Sequence, residues 1–161
     1  MYEPGEAAPD FALEDSLGKV RRLSDYTGKR IVLFFYPEDM TPGCTREVCG
    51  FRDHFNAYTQ EGVELLGVSL DSPENHEEFA REYNLPFTLL SDVNADVSRA
   101  YGVYGEKEVD GRTAHGILKT TFVIGPDGQI EKVFREVKVD SHALDVLQSF
   151  HSPPGPGGAG L

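Results

Sequence analysis

Two short apolar runs constrain the fold more than any other feature of the sequence. Arg30–Tyr36 and Val63–Leu70 are rich enough in apolar and β-branched residues to indicate strands buried on both faces. Between them, apolar residues spaced by three and four predict one helix, from about residue 41 or 43 to Gln60. A helix that joins two buried strands is typical of a parallel sheet, so the chain is predicted to be α/β.

The remaining segments alternate in a similar way. A hairpin is predicted near the start, where Asp10–Glu14 and Lys19–Leu23 flank a turn, and a second hairpin flanks the Gly125–Gly128 turn. Tyr104–Gly116 is polar and aperiodic, which favours a surface excursion. The other predicted elements are a helix from Ser72-Pro73 to Tyr83, a strand at Phe87–Leu90, a helix at Ala95–Tyr101 and a last helix after Ser141.

Together these elements predict one three-layer α/β domain over residues 1–151. We expect a mostly parallel central sheet, an N-terminal β-hairpin and helices on both faces. The segment Ser152–Leu161 consists largely of proline and glycine and is expected to be a disordered tail.

The charge balance excludes two classes of partner. The formal net charge of −12 argues against binding to a nucleic-acid backbone or to an anionic membrane surface. The longest apolar run, Ile31–Tyr36, is far too short to cross a bilayer. The first residues are acidic and lack the basic stretch and apolar core of a secretory signal, so we expect a cytoplasmic protein.

The chain has two cysteines, Cys44 and Cys49, which are too few for a secreted disulfide scaffold. In a cytoplasmic protein such a pair is more often catalytic or redox-active than structural. The five histidines do not stand at ligand spacing from one another, so no metal and no cofactor are expected.

Cys44 is placed where a thiol becomes reactive. It follows the buried strand and the Pro37–Gly43 loop, and it falls in the first turn of the predicted helix. Free N–H groups and the partial positive charge of a helix N-terminus stabilise a thiolate, so its pKa should fall below the usual value of about 8.5. Arg46 would act in the same direction. The alternative is that Cys44 is an ordinary core residue, since free cysteines are often buried.

Helix geometry limits what Cys49 can do. Five residues along an α-helix separate two Cα atoms by roughly 8–9 Å, whereas a disulfide needs about 4.4–6.8 Å. A Cys44–Cys49 bond therefore requires the first turns of the helix to unwind. The alternative is that Cys49 only faces the core, and the spacing is not the Cys-x-x-Cys of dithiol reductases.

The segment around these cysteines resembles the peroxiredoxins, and within them the PrxQ or bacterioferritin-comigratory-protein (BCP) branch. The matching signature is Pro37, Thr41 and Cys44, followed by Cys49. The likeness also covers the four stretches Gly5–Pro37, Cys49–Asp53, Gly67–Asp92 and Thr120–Ile130.

The resemblance implies a thioredoxin-like fold and a thiol peroxidase of the atypical two-cysteine type. Cys44 would attack hydrogen peroxide or an organic hydroperoxide and become a sulfenic acid. Cys49 would resolve it as an intramolecular disulfide, which thioredoxin or a similar dithiol would reduce. Thr41 would hydrogen-bond the thiolate and the peroxide, and Pro37 would shield the site from water. The resemblance also implies a monomer.

One position departs from the family pattern. Members usually carry an arginine shortly before the late strand, where this chain has Lys119. Lysine keeps the positive charge but loses the planar donor fork of arginine. We therefore expect Lys119 to favour the thiolate and to orient peroxide less rigidly, with Arg112 or Arg46 as possible substitutes.

Two alternative functions use the same residues. A thiol–disulfide oxidoreductase would act on protein disulfides, although the missing Cys-x-x-Cys argues against it. A redox sensor would use the Cys44–Cys49 switch to expose Phe51 or Phe55 to a partner.

Overall fold

The computed structural model describes residues 3–135 and 137–150 as a β-sheet with helices on both faces and a separate hairpin. Its strands are Ala12–Asp15 (β1), Val20–Arg22 (β2), Arg30–Phe35 (β3), Val63–Ser69 (β4), Thr88–Ser91 (β5), Tyr104–Val109 (β6), Arg112–Ile117 (β7), Thr120–Ile124 (β8) and Ile130–Phe134 (β9). Its α-helices are Pro42–Asp53 (α1), Phe55–Gln60 (α2), Pro73–Tyr83 (α3), Asp96–Ala100 (α4) and His142–Ser149 (α5). None of the helices in these two ranges is long and apolar enough to cross a membrane.

The main sheet has the strand order β2-β1-β5-β4-β3-β8-β9. The three central strands β5, β4 and β3 run parallel, as predicted. The pairings toward both edges are antiparallel, so the sheet as a whole is mixed rather than mostly parallel. The outermost pair at each edge joins sequential strands, β1–β2 and β8–β9, and a short turn can join only antiparallel strands. Strands β1 and β8 also run antiparallel to the central strands β5 and β3 beside them.

Strand β3 is buried on both faces, as its sequence predicts. Ile31, Leu33 and Phe35 join one apolar cluster, which also contains Val97 of α4. The alternate residues of the strand, with Cys44 and side chains of α1, α2, α3 and α5, form the cluster on the other face. Next to β3, a Cβ atom on Gly67 would lie 2.8 Å from the Phe34 ring, so this close approach requires glycine.

The predicted single helix up to Gln60 is wrong, because it is divided at His54. The backbone of His54 has φ −106° and ψ 12°, and α2 begins at the next residue. The His54 ring Nδ1 lies 2.9 Å from the carbonyl oxygen of Gly50, which the His54 amide also contacts at 3.2 Å. Ring and amide therefore share one acceptor at the point where the helix ends.

The segment Tyr104–Gly116 lies outside the main sheet and most of its described residues are exposed, as predicted for a surface excursion, but it is regular, since β6 and β7 form an antiparallel hairpin there. Its turn is Asp110-Gly111, and both residues have positive φ, 54° and 76°. Two consecutive left-handed residues are the signature of a type I′ hairpin turn, for which Asp-Gly is a preferred sequence. The N-terminal hairpin and the Ser72 cap before α3 agree with prediction. The tail from Ser152 lies outside the described residues.

Candidate active site

Cys44 lies in the first turn of α1, just beyond the carboxyl end of β3. It is a free thiol with 3% of its surface exposed, and it belongs to the apolar cluster with Val48 and Phe51 of the same helix. The helix terminus directs unpaired N–H groups and partial positive charge toward this turn, which favours a negatively charged sulfur. Sequence and structure agree on this placement.

Thr41 occupies the N-cap position of α1, and Pro42 takes the first helical position. The Thr41 carbonyl oxygen accepts a bond of 2.8 Å from the Thr45 amide. Its hydroxyl does not cap the helix, because it donates to the carbonyl oxygen of Glu38 at 3.0 Å. To donate to a sulfur or a peroxide, as expected from the family, this hydroxyl has to turn away from Glu38. Pro37 is half-buried and lines a surface cleft together with Ile117.

Cys49 is half-buried on the same helix and is also a free thiol. Burial raises the pKa of this thiol, an effect that Arg52 opposes and Asp53 reinforces. Since α1 is continuous from Pro42 to Asp53, helix geometry keeps the two Cα atoms roughly 8–9 Å apart. The described state is therefore the reduced one, in which a disulfide cannot close.

Lys119 approaches the same turn of α1 from the short connection between β7 and β8. Its Nζ lies 3.3 Å from the position that a Cβ on Gly43 would occupy, so glycine there leaves room for the ammonium group. The other two candidate cations lie elsewhere. The Arg46 Nε atom pairs with Asp140 at 3.0 Å on the surface, and Arg112 is exposed at the start of β7.

Glu47 is a member of this site that sequence reasoning missed. Its side chain is completely buried, and neither carboxyl oxygen has a hydrogen-bond partner among the described residues. Burial raises its pKa from 4.5 to about 7, although the nearby Lys119 ammonium lowers it. The available signal was the spacing, because residues three apart on a helix share a face, which places Glu47 beside Cys44.

A second buried polar cluster lies under the loop that leads from β3 to α1. The Tyr36 hydroxyl donates to Asp39 Oδ1 at 2.6 Å, and the His76 Nδ1 atom lies 2.7 Å from Asp39 Oδ2. Ligand atoms of Asp39, Asp71 and His76 lie within 4.8 Å of one another. Each of them is already hydrogen-bonded within the protein, so the cluster is satisfied without a metal ion.

Comparison with known proteins shows the family of this chain. Residues 4–133 match the AhpC/TSA family. The chain is 44% identical over 147 residues to the peroxiredoxin Bcp of Bacillus subtilis, covering 91% of this chain and 94% of that protein. It is also 44% identical over 143 residues to the peroxiredoxin Bcp of Escherichia coli, covering 89% and 92%.

Solved structures give the same result at the level of the fold. A PrxQ variant from Xylella fastidiosa superposes with a TM-score of 0.87 at 34% identity, covering 94% of this chain and 96% of that one. A peroxiredoxin Q variant from Xanthomonas campestris gives 0.85 at 34% identity, covering 93% and 98%. The predicted thioredoxin-like fold is thereby confirmed. The chain belongs to the AhpC/TSA family as a peroxiredoxin of the Bcp/PrxQ type, a thiol-dependent peroxidase.

Proposed function

We propose that Cys44 is the thiol that attacks the peroxide. Its sulfur, as the thiolate, would attack one oxygen of a hydrogen peroxide or small organic hydroperoxide. The O–O bond breaks, the sulfur becomes a sulfenic acid, and the other oxygen leaves as water or an alcohol after taking up a proton. The observation that carries the proposal is the position of this thiol, in the first turn of α1 with the Lys119 ammonium beside that turn.

We propose that Cys49 resolves the sulfenic acid. Its sulfur would attack the Cys44 sulfur, a disulfide forms, and water leaves with the sulfenic oxygen. The raised pKa of the Cys49 thiol keeps it protonated while α1 is intact, which supports a reaction that waits for the helix to open. A dithiol reductant such as thioredoxin would then reduce the disulfide and return both thiols.

The neighbouring residues are assigned supporting roles in this proposal. Thr41 would donate a hydrogen bond from its hydroxyl to the sulfur or to a peroxide oxygen, and Pro37 would limit the access of water to the site. Lys119 would stabilise negative charge on the sulfur and on the departing oxygen. We further propose that residues 1–151 act as a monomeric cytoplasmic domain, since a thiol peroxidase needs a reducing compartment and a charge of −12 disfavours self-association.

The test is stopped-flow oxidation of the reduced protein by hydrogen peroxide, with Cys44→Ser and Cys49→Ser as a matched pair. We expect fast oxidation in the wild type, none with Cys44→Ser, and a trapped sulfenic acid without disulfide with Cys49→Ser. Oxidation of Cys44 at the rate of an ordinary free thiol would contradict the proposal.

The role of Lys119 is tested separately by Lys119→Met and Lys119→Arg. Loss of the charge should slow the oxidation of Cys44 about tenfold or more, whereas arginine should preserve it or improve it. The exposed Lys29 supplies the control, because it precedes the amino end of β3, whereas Cys44 lies beyond the carboxyl end of that strand. Equal rates in Lys119→Met and Lys29→Met would remove Lys119 from the mechanism.

A further inference from the structure

A buried hydrogen-bonded pair of side chains fastens the loop that leads through Thr41 into α1. Asp39 lies in this loop and is 6% exposed, and its partner His76 lies in α3 and is completely buried. The His76 Nδ1 and Asp39 Oδ2 atoms are 2.7 Å apart. The two residues are 37 positions apart in the sequence, and their contact ties the loop after β3 to α3, the helix that follows β4.

Hydrogen bonds hold both members of the pair from a second side. The His76 Nε2 atom lies 3.0 Å from the carbonyl oxygen of Leu90, which can only accept, so Nε2 is the donor of that bond. The other carboxyl oxygen of Asp39 accepts the Tyr36 hydroxyl. The ring and the carboxyl group are therefore each fixed by a further contact besides the one that joins them.

The backbone of the same loop is held as well. The amide of Asp39 donates to Asp71 Oδ2 at 2.9 Å, and that oxygen also accepts the Ser69 hydroxyl at 2.6 Å. The main chain of Asp39 is thus fixed to Asp71, which follows β4, and its side chain is fixed to Tyr36, which follows β3, and to His76 in α3.

The fixed residue is followed directly by a strained one. Met40 has φ 68°, a left-handed backbone that is unfavourable for a side chain of this kind, and 42% of its surface is exposed. Thr41 follows at the N-cap position of α1, and Cys44 lies three residues further on. Exposed Met40 has little packing of its own to hold this turn. The bond from the Thr41 hydroxyl to the Glu38 carbonyl oxygen also spans it, but that bond is lost when the hydroxyl turns toward the sulfur, so the anchored Asp39 then holds the turn.

From this arrangement we propose that Asp39 and His76 are a positioning pair for the oxidation of Cys44. The pair holds the left-handed turn at Met40 and thereby fixes where the Thr41 hydroxyl and the first amides of α1 lie around the sulfur. The proposal rests on the assignment of Cys44 as the attacking thiol. It concerns the first chemical step only, because disulfide formation already requires the first turns of α1 to unwind.

The test separates the two steps in Asp39→Asn, His76→Gln and the double variant. We expect the second-order rate constant for Cys44 oxidation to fall about tenfold or more, because small displacements of reacting groups cost factors of this size. The rate of the following disulfide step should stay the same or rise. The double variant should be no slower than the slower single variant, since either change breaks the same contact.

A second buried histidine supplies the matched control. His142 is 2% exposed, lies in α5 and is hydrogen-bonded to Thr121 at 2.7 Å, away from the β3–α1 loop. His142→Gln should leave the rate of Cys44 oxidation unchanged in the folded protein, even if it lowers stability. Only this first rate is compared, because the His142 ring packs against Phe51 of α1, the helix that has to unwind in the second step. If His76 had a purely structural role, His76→Gln would likewise leave the rate of Cys44 oxidation unchanged in the folded protein.

If the Asp39 and His76 variants do not fold, Tyr36→Phe decides the question. It removes one hydrogen bond to Asp39 with almost no change in shape, and we expect Cys44 oxidation to slow by about threefold or more. Unchanged oxidation in folded variants, with fast Cys44-dependent oxidation in the wild type, would overturn the positioning pair alone. Slow oxidation in the wild type would instead overturn the assignment of Cys44 itself.

Discussion

Replacing Glu47 by glutamine should make the protein more stable at high pH and leave its stability almost unchanged at low pH. The Glu47 carboxyl has a pKa of about 7 in the folded protein and 4.5 as its ordinary value. One pKa unit corresponds to about 1.4 kcal/mol, so ionising this group in the folded state costs about 3 kcal/mol more than in the unfolded chain.

The sign follows from where each state loses its proton. Below about pH 4.5 both states carry a neutral carboxyl, and Glu47 imposes no ionic penalty. As the pH rises from 4.5 to about 7, the unfolded chain releases the proton while the folded protein retains it, and the free energy of unfolding decreases. Above about pH 7 the full penalty is present. Glutamine cannot ionise, so the variant avoids this loss.

Urea denaturation followed by circular dichroism at about pH 4 and about pH 8 measures the effect. We expect Glu47→Gln to gain up to about 3 kcal/mol over the wild type at the higher pH. Glu78→Gln is the control, because Glu78 is exposed on α3 and its replacement should change stability by less than about 0.5 kcal/mol at either pH. In a Lys119→Met background the gain should increase, since the Lys119 ammonium lowers the pKa of Glu47. A constant difference between wild type and Glu47→Gln across this pH range would refute the reasoning.

Three further predictions concern stability. Tyr58→Phe removes a buried bond of 2.6 Å from the hydroxyl to the Ala143 carbonyl oxygen and should cost about 1–2 kcal/mol in urea denaturation, whereas no loss would mean that this bond contributes nothing. Gly67→Ala places a Cβ 2.8 Å from the Phe34 ring in the central strand and should lower stability by about 1–3 kcal/mol, which an unchanged thermal midpoint would contradict. Burial lowers the pKa of His142 from 6.5 to about 4, so the unfolded chain binds a proton first as the pH falls, and about 3 kcal/mol of stability should disappear between pH 6.5 and 4. His142→Gln should flatten that part of the pH profile, and a profile identical to the wild type would contradict the assignment.

The features that could be predicted are those in which one short segment carries its own signal. The apolar continuity of Arg30–Tyr36 predicts a strand buried on both faces, and the Pro37–Gly43 loop predicts a helix start with Cys44 in its first turn. Both are local patterns, and the structure has them where the sequence places them.

The features that were missed depend on distant contacts or on competing local signals. The turn Asp110-Gly111 was visible, but the flanking strands carry Glu106, Lys107 and Arg112 rather than alternating apolar residues, so the segment resembled a loop. Asp39 lies in the loop after β3, whereas its partner His76 lies in α3, 37 positions later in the chain. No spacing rule of the sequence connects the two residues.

The interruption at His54 bounds how far a disturbance of the reactive helix can spread. Helix melting is cooperative along a continuous hydrogen-bonded run. Here that run contains 12 residues, and the next helix is secured independently where the Tyr58 hydroxyl bonds α5. In the proposed cycle at most these 12 residues would have to unwind and refold, so the rest of the core could remain packed while the disulfide forms and is reduced.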